Sequence, residues 1–240
     1  MGGFDAIAFT SAGGYPVNED SVEIVRHNTQ FVAVIADGLG SHGGGGIASS
    51  AAIATIAKNM PGQGIADEAT LENCLQEANK AVLLGQKPGI PMKSTATILA
   101  VENGLAYFAH VGDTRGYFFR GSRVIGQTTD HSVSQMAVLR GEIAPSEIRH
   151  HKNRSSLTRA LGADEKAHSE VTPLGMIQTG DAFLLCSDGF WEYVTEDEMV
   201  VDLLKADTAA TWLSFMLARI GHRVPGSHDN LSAICVLCNG

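Results

Sequence analysis

Thr95-Ala-Thr-Ile-Leu-Ala-Val101, then Glu102-Asn103-Gly104, then Leu105-Ala-Tyr-Phe-Ala-His-Val111 is the stretch that decides the fold. Two apolar runs of strand length flank Asn103-Gly104, and both turn residues tolerate positive φ. The runs therefore fold back on each other as a hairpin. Tyr117–Phe119 follows, and Arg120-Gly121-Ser122 marks the next reversal. Successive hairpins pair strands antiparallel, which argues against a doubly wound sheet. Further outward, Phe31–Ala36, Ala182–Cys186 and Leu231–Leu237 are apolar runs of the same kind, each bounded by turn formers. Helical patterns lie between the strand groups. Residues 47–60 are small and apolar. In 68–84, Leu71, Leu75, Ala78 and Val82 share a face. Thr195-Glu-Asp-Glu198 is a capping box opening a helix through Met199, Val200, Leu203 and Leu204, and 209–220 sets Trp212, Phe215, Met216 and Ile220 on one stripe. The expectation is an α+β protein, with antiparallel sheet covered by helices.

The 240 residues fit one domain, and a hydrophobic content of 44% supports a sizeable core. The formal charge of −9 disfavours nucleic-acid and anionic-membrane partners. No basic segment precedes an apolar run at the N-terminus, and no run is long enough to span a bilayer, so a cytoplasmic protein is expected. Of Cys74, Cys186, Cys235 and Cys238, three sit in apolar segments, which suits reduced core thiols. Cys235 and Cys238 have knuckle spacing, but they end a strand where their thiols face opposite sides. The polar, basic stretch 142–157 reads as a mobile excursion.

Four aspartates share one context. Asp37 follows FVAVIA, Asp113 follows FAHVG, Asp188 follows FLLCS, and Asp229 shortly precedes LSAICVL. Strands ending in carboxylates deliver those charges to one rim. Gathered and buried they repel one another, and a divalent cation relieves the repulsion. Hard oxygen donors suit magnesium or manganese. Any one of them alone is more often a turn residue, since Asp37-Gly38 and Asp188-Gly189 are ordinary turn dipeptides. Gly38-Leu-Gly40-Ser-His-Gly43 matches a dinucleotide-binding glycine pattern. Asp37 beside the first glycine would oppose a pyrophosphate, no strand ending in an acid follows at the right distance, and the later chain reads as hairpins. A backbone that approaches metals, with the Gly38 carbonyl on offer, is the better reading.

Eight segments in order resemble the type 2C, metal-dependent protein phosphatases. They are Asn18-Glu19-Asp20-Ser21, Asp37-Gly38-Leu39-Gly40-Ser41-His42, Ser94–Thr97, His110-Val-Gly-Asp113-Thr-Arg115, Thr129–Ser132, Leu157–Gly162, Cys186–Gly189 and Asp229–Ser232. The resemblance spans almost the whole chain and follows the bacterial pattern. It implies a four-layer α-β-β-α sandwich, two antiparallel sheets packed face to face with helices outside each. It also implies one catalytic domain over residues 1–240, with a flap at about 142–157. Asp37 would bridge two Mg²⁺ or Mn²⁺ ions, Gly38 would give its carbonyl to one, Asp188 and Asp229 would hold the other, and Asp113 would hold a third, weaker ion. Glu19 and Asp20 would act through water or behind the ligands.

The expected reaction is hydrolysis of phosphoserine or phosphothreonine in proteins by a metal-activated water, without a protein nucleophile. The expected partners are a phosphorylated protein and a cognate Ser/Thr kinase, and the chain is expected to be monomeric. Two family features are missing. Tyr15 stands where an arginine usually clamps the phosphate, which leaves Arg115, Arg140 and Arg154 as candidates for substrate binding. Leu39 stands where eukaryotic members have a histidine, which leaves His42 as a candidate proton donor. Two other readings stay open: a regulatory binding module with weak catalysis, and a hydrolase of small phosphoesters.

Overall fold

The protein is described by a computed structural model covering residues 3–40, 44–60, 67–90, 92–224, 226 and 228–239. In chain order the elements are β1 (Phe4–Ser11), β2 (Ser21–His27), β3 (Gln30–Ala36), β4 (Gly38–Gly40), α1 (Gly44–Asn59), α2 (Glu68–Gly85), β5 (Met92–Ser94), β6 (Ala96–Glu102), β7 (Leu105–Val111), β8 (Arg115–Arg120) and β9 (Arg123–Gln127). There follow α3 (Val133–Leu139), a 3₁₀ helix at Pro145–His150, β10 (Glu170–Met176), β11 (Asp181–Cys186), α4 (Asp188–Trp191), α5 (Glu196–Leu203), α6 (Ala209–Arg223) and β12 (Leu231–Cys238).

The Asn103-Gly104 hairpin joins β6 to β7, with both residues at positive φ (50° and 83°). It lies inside one five-stranded antiparallel sheet, β10-β7-β6-β3-β2, while β1-β12-β11-β8-β9 forms the second. The sheets pack face to face. Strand alternation shows in β3, where Phe31, Ala33 and Ile35 point between the sheets while Val32, Val34 and Ala36 point to the helices α1 and α2. Strands buried on both faces read as unbroken apolar runs, which is why β3, β6, β11 and β12 stand out in the sequence. The second sheet carries α4, α5 and α6 on its outer face, over a cluster that includes Trp191, Trp212 and Met216. The architecture is the expected four-layer α+β sandwich. Cys235 lies on the helix side and Cys238 between the sheets, and all four thiols are free.

Several details differ from expectation. The strands β1, β2 and β10 are only partly buried and lack continuous apolar runs, so their sequences carry a weak signal. β10 is an edge strand and tolerates Pro173 at a bulge. Phe215 is exposed at the flank of α6, and Leu213 takes its place in the buried stripe. The segment 142–157 is anchored rather than free. Ile148 is buried in the Trp191 cluster, Arg149 is ion-paired with Glu196, and Arg154 with Glu192.

Between the sheets, Phe183 stacks on Phe118 at 4.6 Å and meets Phe108 edge-on at 6.2 Å. Truncating a fully buried aromatic leaves a cavity that the two sheets cannot close. Phe183→Ala is expected to lower unfolding stability by about 3–5 kcal/mol in a denaturant titration. Leu84→Ser, at a site 88% exposed, should stay within about 0.5 kcal/mol.

Candidate metal centre

Antiparallel pairing brings strand ends and strand starts to the same rim. Ala36 pairs with Ser21, so Asp37 leaves β3 beside the point where Asp20 enters β2. In the other sheet Cys186 pairs with Ala233 and with Arg115. Asp188, Asp229 and Asp113 therefore all lie just beyond that end. Hydrogen bonds tie the two sheets together here. The Ser187 hydroxyl donates to Asp20 Oδ2 (2.9 Å) and accepts from the Ser232 N–H (3.0 Å). The Glu19 N–H donates to Asn230 Oδ1 (2.7 Å).

The backbone around Asp37 is fixed on both sides. Its N–H donates to Thr95 Oγ1 (2.9 Å), and its carbonyl accepts from the Thr95 N–H (2.8 Å) and the Ser94 hydroxyl (3.0 Å). Gly38 then passes against the start of α1. A Cβ on Gly38 would stand 2.1 Å from the Gly45 carbonyl oxygen, so the close approach requires glycine. Asp113 is held from the helix side, where Trp191 Nε1 donates to its carbonyl (3.0 Å).

Glu19, Asp37, Gly38, Asp113, Asp188 and Asp229 all line one cavity of about 460 Å³. No Lys, Arg or His is among the described residues that line it. Desolvation raises Asp37 well above the usual carboxylate range, and the charges of Asp20, Asp188, Asp113 and Asp229 add to it. Desolvation does the same for Asp113, with Asp188 adding to it. Asp188 is pushed up to about 7 by desolvation and then by Asp229. Asp20 rises to about 6 through desolvation, against the hydrogen bonds from Ser232 and Ser187. Its Oδ1 is buried without a hydrogen-bond partner. An orphaned carboxylate oxygen among mutually repelling acids is a site short of positive charge. The donors are all hard oxygens, which suits magnesium or manganese and not a thiophilic metal.

Arg115, Arg140 and Arg154 are not among the residues that line this cavity. Arg115 does not face it, contrary to expectation. Its guanidinium is buried, donates to both oxygens of Asp130 (2.9 and 2.7 Å) and lies 3.6 Å over the Trp191 ring. Those partners make it a brace for α4 rather than a substrate contact. Arg154 is half-exposed near the rim and committed to Glu192, while Arg140 is exposed and lies near Glu142. His42 lies outside the described residues. Glu192 was missed in the sequence. It comes four residues after Asp188, one helical turn along, and burial raises its carboxyl above the usual range, with the Asp229 charge adding to it. The i, i+4 spacing from Asp188 was the available signal.

His110, His131 and Glu170 also converge. The two imidazoles stack at 4.6 Å with 14° between their planes. A metal must lie in the plane of each ring that binds it, and stacked rings share no such point. His110 Nε2 donates to the Thr129 carbonyl (2.8 Å), and His131 Nδ1 accepts from the Gly112 N–H (3.2 Å). The pair thus ties the strand before Asp113 to the loop after β9.

Known proteins share both sequence and fold. A family model described as protein phosphatase 2C matches residues 14–219. The serine/threonine phosphatase stp of Listeria monocytogenes is 29% identical over 230 residues, covering 91% of this chain and 89% of that protein. The serine/threonine protein phosphatase PstP of Mycobacterium tuberculosis is 31% identical over 199 residues, covering 80% of this chain and 37% of that longer protein. A solved bacterial serine phosphatase superposes with a TM-score of 0.86 at 26% identity, covering 99% of both chains. The catalytic domain of PstP in complex with two manganese ions superposes with a TM-score of 0.82 at 25% identity, covering 99% of both chains. With the match running from the Tyr15 loop through most of α6, the chain belongs to the protein phosphatase 2C family.

Proposed function

We propose that this chain is a metal-dependent protein serine/threonine phosphatase, a single catalytic domain with residues 142–157 as its flap. The observation that carries the reading is the convergence of Asp37, Asp113, Asp188 and Asp229 on one cavity in a chain of this family. Asp37, Asp188, Asp229 and the Gly38 carbonyl are the residues that would hold two divalent ions, with Asp113 toward a third. Bound there, Mg²⁺ or Mn²⁺ supplies Lewis acidity, lowering the pKa of a water and neutralising phosphoryl oxygens. The protein's own part is to hold the carboxylates in register. Ser94 and Thr95 fix the Asp37 backbone, and Ser187 and Asn230 lock the two sheets across the site. Asp20 stands behind the ligands and retains an uncommitted oxygen, while Glu19 lines the cavity beside them. No buried thiol serves as a nucleophile, since burial raises Cys186 and Cys235 away from the thiolate. The relatives' names support a phosphoprotein substrate, and a partner kinase fits that reading.

Asp37→Asn or Asp229→Asn is expected to lower phosphate release from a phosphothreonine peptide with Mn²⁺ by more than about 100-fold, the scale reached even by outer-shell losses at metal sites. Chelator should have the same effect on the unaltered chain. Asp37→Asn should keep or raise the melting temperature of the metal-free protein. A lower one, with turnover retained, would make Asp37 a structural turn residue.

The acid cluster also sets a pH dependence. Asp20 and Asp188 titrate near 6 and 7 in the folded metal-free chain, against an ordinary 3.8. The folded state therefore binds more protons than the unfolded state between those values. Their stabilising contribution is complete below the ordinary value and is lost as pH rises through the folded ones. Under chelator the melting temperature should fall between about pH 4 and about pH 7. Metal must displace the same protons, so Mn²⁺ affinity by calorimetry should rise across that interval.

A further inference from the structure

We propose that Tyr15, Pro16 and Val17, together with Leu39 and Leu157, form an apolar subsite that selects phosphoprotein segments with an apolar side chain next to the phosphorylated residue. The proposal rests on the phosphatase reading above and adds the substrate class of that same cavity.

The cavity has two chemically distinct parts. Its floor is carboxylate, while Tyr15, Pro16, Val17, Leu39 and Leu157 supply an apolar lining. Tyr15 is 58% exposed and Val17 54%, although each is large and apolar. Single exposed apolar residues need no explanation, but adjoining ones at the mouth of a reactive cavity mark a contact surface. Since no basic side chain lines the cavity among the described residues, the protein offers no cation of its own to a phosphate or to an acidic neighbour. Tyr15 presents a single hydroxyl where a guanidinium would present five donors. Discrimination by side chains at this mouth therefore falls on the organic part of the substrate.

The loop that carries this wall is rigidly built. Asn230 Nδ2 donates to the Ala12 carbonyl (2.9 Å) and to the Val17 carbonyl (3.3 Å), while its Oδ1 accepts from the Glu19 N–H (2.7 Å). The Gly14 N–H donates to the His228 carbonyl (2.9 Å). Gly13 adopts φ +59°, and a Cβ there would stand 2.2 Å from the Asp229 carbonyl oxygen. The wall is thus pinned to the segment that bears Asp229, and its distance from the reacting centre is fixed. A preformed apolar surface binds without the cost of ordering a loop. An acidic flanking residue would instead meet Glu19, with no Lys, Arg or His among the described lining residues to offset it.

The test is a set of phosphothreonine peptides that differ only in the residues flanking the phosphothreonine: glycine, valine, leucine, glutamate or lysine. Phosphate release by the full chain with Mn²⁺ gives kcat/KM for each. Valine- and leucine-flanked peptides are expected to exceed the glycine-flanked one by about tenfold, mostly through KM, with glutamate lowest. Val17→Ser and Tyr15→Ser should each cut the valine-to-glycine ratio to about threefold or less. These are ratios within one preparation, so a partly folded variant does not disturb them. Equal rates across the flanks, a lysine-flanked optimum, or ratios that the variants leave unaltered would overturn the subsite while leaving the phosphatase reading intact. No metal-dependent turnover of any peptide would overturn both.

Discussion

Burial of carboxylates that also repel one another is the constraint around which the rest of this structure is arranged. Asp20, Asp37, Asp113 and Asp188 sit where burial and neighbouring charge both disfavour ionisation. No chain keeps such a group without rigid support, and the support is visible. Asp37 is clamped by Ser94 and Thr95, and Ser187 reaches from one sheet to Asp20 on the other. Asp113 hangs from the Trp191 indole, which is backed in turn by the Arg115–Asp130 pair. Hydrophobic burial between and outside the sheets stabilises the framework that holds these charges together, and a bound cation would remove the repulsion.

The fold was legible where strands are buried on both faces. Residues 31–36 and 182–186 announce themselves because neither face needs a polar residue. β2 and β10 lie at sheet edges and β1 is also only partly buried, so their patterns blur into loop-like sequence. The aspartates were legible for a related reason. Each follows or precedes a strong strand, and antiparallel order turns alternating ends and starts into one rim.

What escaped the sequence depends on side-chain direction. Arg115 follows Asp113 by two positions, a spacing that suggests a substrate contact. Strand alternation sends its guanidinium under Trp191 instead, where Asp130 neutralises it. Glu192 went unnoticed because its link to Asp188 runs through one turn of a helix only four residues long. The polarity of 142–157 suggested a free excursion, yet buried Ile148 and two arginine–glutamate pairs hold it down. Composition registers how polar such a segment is and carries no record of what its charges find.

The position of β12 has a consequence for how this chain is made. It is the last strand in sequence, yet it lies in the interior of its sheet, between β1 and β11. On the ribosome β1 emerges well before β12 and must wait for its partner until the intervening strands and helices have been synthesised. Asp229 and Asn230, which complete the acid rim and pin the Tyr15 loop, arrive in the same late segment. The acid rim, the pinned Tyr15 loop and a closed second sheet therefore all wait for the same segment, and a nascent chain halted before residue 229 lacks all three.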